Sequence, residues 1–402
     1  MRGDGAIAVG SCERLLRKGP ALKKKYCYMD VMRVISMLFI VFYHMLVALY
    51  STGARAYDSL QPYFENKNIH IATVGVGIFF MLSGAGLMLS SQKDKFKTGD
   101  FYKHRLIKIL IPYYLVNVLY FLFLVLIQIH RGHSISALLP KRMTILRPFA
   151  MLFGMDTYMM TFMGGNAYSR YFGDTALMYG IGEWFLGCLV LMYFLFPLLR
   201  KAMLKNKWLT LAISTAYLIL IVAFYSKIPL FRIMADVPFC NFFVKIYDFI
   251  LGMFLALVIK ETPRWTFWPA LAVVLTFIFC PVKLPLDISI AIVLLNLAIY
   301  LVFLRMEPLF EKAKKPMKAV VFLCKYSYIY FLVHHVVILQ VTERKFERYK
   351  TSGTAFLKRD ILVLFLEELL IGVVCAAVVA YLLKLPSRIF KKREEGSDGS
   401  GK

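Results

Sequence analysis

The residues able to do chemistry in this chain sit inside its apolar runs. The first run reads Asp30-Val31-Met32-Arg33 and continues to Phe42-Tyr43-His44. Asp30 and Arg33 are three apart, one above the other on a helix, and can pair. Arg33 and His44 are eleven apart, which at ~100° per residue returns to within about 20° of one helix face, some ~16 Å further along the axis. One face thus carries a fixed cation and, deeper, a titratable imidazole. Glu183, His334 and Glu367 lie in later runs of the same kind. In hydrocarbon each ionisable group costs at least ~2.5–3.5 kcal/mol, so each needs a partner, a wet cavity or a task.

The runs that hold these groups define the fold class. Of 402 residues 59% are hydrophobic and 18% charged, with mean hydropathy +0.64. This balance excludes a soluble multidomain enzyme and a disordered scaffold. The apolar runs are continuous rather than alternating, which excludes an outer-membrane barrel. Ten spans of membrane-crossing length are expected near 30–50, 71–91, 105–129, 177–199, 208–225, 239–260, 265–280, 287–304, 320–340 and 360–384. The chain reads as an all-α polytopic membrane protein. Its domains are a basic N-terminal tail (1–29), a ten-helix domain (30–384) with a long external connection (130–176), and a basic C-terminal tail (385–402).

Charge sets the orientation. The net charge of +25 would suggest nucleic acid in a soluble protein, but here the cations flank the spans, so no nucleic-acid partner is expected. Segments on the N-terminal side hold 30 of the 49 Lys and Arg, the opposite segments 16, and the spans three. Both termini are therefore assigned to the cytoplasm. The discordant piece is the outward 341–359 segment, with six cations. Residues 1–29 lack a cleavable signal pattern, so the first run is expected to stay as an anchor. The seven cysteines include no CxxC pair and read as buried hydrophobes. The stretch 147–165, RPFAMLFGMDTYMMTFMGG, is too polar to span and suits an interfacial helix or a flap over an external cleft.

With the spans set, the ionisable groups fall at similar depths. His44 and His334 each lie fourteen residues into outward-running spans, ~21 Å from the cytoplasmic edge. Glu183 and Glu367 lie six or seven residues from the outer edge of inward-running spans, near the same level. Two imidazoles and two carboxylates from four helices would form one layer, which general acid–base chemistry or a proton relay requires. Taken singly, each has a plainer reading: His44 as a histidine bonded between helices, Arg33 as a snorkelling cation. Lys245 and Asp248 are expected to pair with each other. Gly75, Gly77, Gly84 and Gly86 around Ser83 are spaced for close helix packing. Lys103, His104, Arg105 and Lys108 open the third span as a cytoplasmic cluster fit for anionic lipid or an anionic ligand. No metal-ligand spacing and no phosphate-binding glycine loop is present.

Five segments, in order, carry a family resemblance. MDVMRVISMLFIVFYHM (29–45), GVGIFFMLSG (75–84), FYKHRLIKILIPYYL (101–115), EWFLGCLVLMYFLFPLL (183–199) and CKYSYIYFLVHHVV (324–337) resemble the motifs of acyltransferase family 3. These are integral-membrane enzymes, mostly bacterial O-acetyltransferases of cell-surface polysaccharides. The resemblance implies an O-acyltransferase of the bacterial plasma membrane. Its donor substrate would be cytoplasmic acetyl-CoA or another acyl-CoA, with no tightly bound cofactor. Its acceptor would be a hydroxyl of an extracytoplasmic or lipid-linked polysaccharide. His44 would be the catalytic residue, Arg33 its motif partner and a donor-binding group, and Arg105 a functional arginine. Lys108 stands where the family has a second arginine, and His334 matches a less uniform position. Acyl-CoA is polyanionic, so Arg33, Arg105, Lys103 and Lys108 would hold its phosphates. Glu183 or Glu367 could orient the imidazole, a reading that rests on depth alone; Asp30 and Ser83 are further candidates.

Two other classes fit buried Glu and His. A carrier of glycans or lipid-linked sugars would use them as a relay and leave its substrate unaltered. A sensor or assembly subunit would use them only to specify packing.

Overall fold

The computed structural model describes residues 26–52, 65–66, 68–91, 96–139, 141–173, 181–228, 238, 241–352 and 358–385. Most of both tails expected from the sequence lies outside the described residues. Among the described residues the regular structure is helical apart from a two-residue ladder, β1 (Glu65–Asn66) with β2 (Ile69–His70), paired antiparallel, and an isolated bridge between Met143 and Gly173. The helices are α1 (Cys27–Ser51), α2 (Ile71–Ser90), α3 (Thr98–His130), α4 (Leu146–Leu152), α5 (Asp156–Phe172), α6 (Glu183–Lys205), α7 (Lys207–Phe224), α8 (Phe242–Val258), α9 (Phe267–Phe279), α10 (Ile288–Arg305), α11 (Glu307–Lys312), α12 (Lys314–Ser352) and α13 (Lys358–Leu382).

Among the described residues eight helices are long and apolar enough to cross a membrane. These are α1, α2, α3, α6, α7, α10, α12 and α13; the chain is an all-α polytopic membrane protein. The other two expected spans are helices too, but shorter. α8 has 17 residues, ~25 Å, and α9 has 13, ~20 Å, against ~30 Å of hydrocarbon. The fourth span begins at Glu183, six residues later than the expected 177, and runs on to Lys205. Gly182 precedes it at φ +76°, a left-handed conformation that glycine adopts without a Cβ penalty.

α8 explains how a short helix belongs in the core. It is buried on nearly every side, and its backbone meets α2 directly. A Cβ on Gly84 would lie 2.1 Å from the Phe249 carbonyl oxygen, and one on Gly252 would lie 2.0 Å from that of Met81. Small residues let the two backbones touch, the packing expected of the glycine stripe. Gly77 faces Asn296 in the same way, whereas Gly86 has open space beside it. Lys245 and Asp248 pair at 3.0 Å, both buried, and Asn296 of α10 donates to Asp248 at 3.4 Å. The expected intrahelical pair thus also ties α8 to α10.

The described part of the 130–176 connection holds two helices, α4 packed against α5 and α5 docked on α6. They meet at Gly154 (φ +66°). Phe149 is exposed while Tyr158 and Phe162 are buried, and Tyr158 fits against Gly187 of α6. Arg147 and Asp156 form a buried pair at 3.5 Å, and Tyr168 donates to Asp156. Burial raises the Asp156 carboxyl above its ordinary range, opposed by the Tyr168 hydrogen bond and by Arg147.

Gly252→Ala is expected to lower stability by ~3 kcal/mol, because a methyl group there drives two backbones apart. Gly86→Ala should leave it unchanged. Thermal unfolding of the detergent-solubilised protein measures both.

Candidate active site

The site is built by α1 and α12. α1 is anchored at its first turn, where Glu307 at the start of α11 accepts from the Cys27 and Tyr28 amides at 2.8 and 2.6 Å. A carboxylate at a helix N-terminus satisfies amides that lack intrahelical partners and complements the macrodipole. The Tyr28 and Tyr300 hydroxyls meet at 2.6 Å and tie the same end to α10. α1 is thereby fixed at its N-terminal end, and every later residue on it takes a set position along the axis.

Arg33 pairs with Asp30 at 3.3 Å, as the spacing predicts. Arg33 also donates to the Cys324 sulfur at 3.1 Å, and the Cys324 thiol donates to Asp30 at 3.3 Å. Cys324 is therefore more than the small hydrophobe expected of it: it joins α12 to the Arg33 pair. The Arg33 side chain is 29% exposed, which leaves it access to a ligand.

Eleven residues further along each helix lies the second contact. The ring of His44 is 4.1 Å from that of His335 and 5.3 Å from that of His334, centroid to centroid. Arg33–Cys324 and His44–His335 have the same sequence offset of 291. The two helices run parallel and in register, so the two contacts lie ~16 Å apart along a common axis. His334 is buried and its Nδ1 donates to the Phe331 carbonyl at 2.5 Å. That bond fixes the ring and assigns the lone pair to Nε2. Phe185 of α6 packs edge-on to Phe331, 4.7 Å between centroids, and stacks on Phe80 of α2. The imidazoles thus have an aromatic wall. Beside His44, Tyr43 contacts His70 at the start of α2, 4.7 Å between rings.

One nitrogen from each of His44, His334 and His335 lies within 4.8 Å of the others. Three imidazoles are a metal-ligand set in type. A tetrahedral ion with Zn–N near ~2.0–2.1 Å needs nitrogens ~3.4 Å apart, so ring movement would have to accompany binding.

The carboxylates fall elsewhere. Glu367 was expected in the imidazole layer but is half exposed and pairs with Lys345 at 2.6 Å. The neighbouring Glu368 is the buried one, with Oε1 accepting from the Thr342 hydroxyl at 2.6 Å. Thr342 and Lys345 lie eight and eleven residues beyond His334, ~12 and ~16 Å further out on α12. A one-residue step on a helix turns ~100°, and periodicity alone did not resolve which of two adjacent glutamates faced inward. Glu183 is the first residue of α6 rather than six or seven residues inside a span, and its side chain lies outside the described residues.

Of the remaining sequence candidates, Ser83 bonds to the Tyr193 hydroxyl at 3.0 Å and joins α2 to α6. Arg105 donates to Ser90 at 3.3 Å, while Lys103 and Lys108 are exposed at the same end of α3. His104 bonds the Asp100 carbonyl of its own helix. Sequence reasoning gave His335 no task, read Cys324 only as a small hydrophobe and passed over Glu368. The signal for the first two was present: Cys324 and His335 repeat the eleven-residue spacing of Arg33 and His44.

A polytopic helical bundle with a histidine cluster deep between two of its helices is the class that fold and site define. Residues 27–385, nearly the whole chain, match the acyltransferase domain, and the chain belongs to acyltransferase family 3. It is a membrane acyltransferase. Comparison with curated proteins and comparison with solved structures each find no match.

Glu368→Ala is expected to cost ~1–3 kcal/mol through the stranded Thr342 hydroxyl and the space it leaves. Glu367→Gln, which removes only a half-exposed pair, should cost under ~1 kcal/mol. Melting curves separate the two.

Proposed function

We propose that the protein transfers an acyl group, acetyl in the simplest case, from cytoplasmic acyl-CoA to a hydroxyl of an extracytoplasmic or lipid-linked polysaccharide, in the bacterial plasma membrane. The observation that carries this is the pair of in-register contacts on α1 and α12, a guanidinium near the cytoplasmic end and an imidazole cluster ~16 Å deeper. Arg33 and Arg105, with Lys103 and Lys108 exposed beside Arg105, offer donors for the donor's phosphates at one end. An extended pantetheine arm then leads inward toward the imidazoles.

At the histidine level His44 acts as general base. It takes the proton of the acceptor hydroxyl as the oxygen attacks the thioester carbonyl. The C–S bond breaks, the sulfur leaves with the electron pair, and the imidazolium returns the proton to it, giving the ester and free CoA. His335, ring to ring with His44, can share the proton, and His334 is held by its backbone bond to pack against both. Positioned general base catalysis supplies ~10²–10⁴-fold.

Donor-dependent acylation in sealed vesicles tests the reading. His44→Ala should lose at least ~10²-fold in rate while keeping its melting temperature; a folded variant with normal transfer would overturn the assignment. Arg33→Lys should raise the KM for acyl-CoA about tenfold, equivalent to ~1.4 kcal/mol, because an ammonium lacks the planar fork. An unchanged donor KM would remove Arg33 from donor binding.

A further inference from the structure

The six cations of 341–359 stand on the side where the rest of the chain has few. They work against the topology that the other segments set, so orientation does not account for them. The structure gives three of them a setting. α12 continues beyond its expected span to Ser352, and its outer part forms one wall of a groove of about 650 Å³. Leu119 and Phe123 of α3, Val337 and Val341 of α12, and Ile371 and Val374 of α13 line it. Arg344, Lys345, Arg348 and Glu367 form its outer rim.

The rim is not internally neutralised. Glu367 is taken by Lys345. Arg344 and Arg348 are exposed, one helical turn apart and so on the same face. Among the described residues neither has an ion-pair partner; Glu343 and Glu347 are on α12 too but do not line the groove. The groove is therefore apolar along its length and cationic at its outer end, the inverse image of a single-chain anionic amphiphile. Its volume falls within the ~300–1,000 Å³ usual for a ligand site, and a guanidinium pair is the fitting recogniser of a phosphate.

The groove also adjoins the chemistry. Val333, Val336 and Val337, in its wall, bracket His334 and His335 on the same helix. His334 and Arg344 are ten residues apart, ~15 Å along the axis. We propose that this groove holds the lipid anchor of the acyl acceptor: the apolar chain lies between α3, α12 and α13, the anchor's phosphate sits on Arg344 and Arg348, and the attached glycan turns into the outer mouth of the bundle toward His44. The identity of the ligand as acceptor rests on the acyl-transfer reading; the site itself rests on the groove and its charges. It names the substrate class as a phosphate-headed, lipid-linked glycan rather than finished polymer.

The test has two arms, both on the full chain in phosphatidylcholine nanodiscs. In the first, binding of polyprenyl phosphate is measured against the neutral polyprenol of equal length and against inorganic phosphate. The wild type should bind the phosphate lipid at least tenfold more tightly than either, Arg344→Gln/Arg348→Gln should lose that margin, and Lys283→Gln, an outward cation away from the groove, should keep it. Equal binding by the double variant, or full displacement by inorganic phosphate, would overturn the lipid site. In the second arm, the double variant should show at least a tenfold higher KM for a lipid-linked glycan with kcat retained. Loss of lipid binding without a change in that KM would mean that the groove takes bulk lipid, and the acceptor assignment would fall. If the wild type transfers acyl groups to no acceptor, the acyl-transfer reading fails and takes the acceptor assignment with it, while the binding arm still decides the groove.

Discussion

The parallel pairing of α1 with α12 is the constraint on which the rest of the site depends. Two polar contacts eleven residues apart on each helix lock the pair in one register. A slip by one residue would rotate both members by ~100° and carry Arg33, His44 or their partners toward lipid. In hydrocarbon such a slip leaves ionisable groups without partners, at several kilocalories per group. The register is thus held by the cost of the alternatives, with apolar packing filling the space around it.

The same logic runs through the bundle. Lys245, Asp248 and Asn296 join α8 to α10, Glu307 fixes the start of α1, Thr342 and Glu368 join α12 to α13, and Ser83 and Tyr193 join α2 to α6. Each link uses groups that would be costly if stranded, and each fixes a neighbour of the α1–α12 pair. Apolar contacts alone would distinguish poorly among helix rotations, because lipid tails are as apolar as leucine side chains. Where backbones must approach most closely, at Gly84 and Gly252, the chain has removed the side chain instead.

Much of this was legible in the sequence. Eight of the ten spans, the Asp30–Arg33 pair, the Lys245–Asp248 pair and the packing role of Gly75, Gly77 and Gly84 follow from hydropathy and helical spacing, and the structure has them. The expected layer of carboxylates and imidazoles did not form as read. Glu367 and Glu368 are adjacent and chemically identical, so only the neighbours on α12 decide which one turns inward. The start of α6 moved because Gly182 breaks the helix, a signal that a hydropathy window averages away. The long 130–176 connection was expected as an interfacial helix or a flap; its docking on α6 through Tyr158 and Gly187 depends on a contact between segments that the sequence does not align.

By itself the sequence determined what is local: which segments form apolar helices, where the charges flank them, and that Arg33 and His44 share one face. Those follow from side-chain solvation and the 3.6-residue period, which act within a segment. Only the tertiary structure decided what meets across segments: that Cys324 and His335 complete the two contacts, that Glu368 rather than Glu367 is buried, and that cations of α12 border an apolar groove. The register between helices distant in sequence is set by which buried polar groups find partners, and that is a property of the whole bundle.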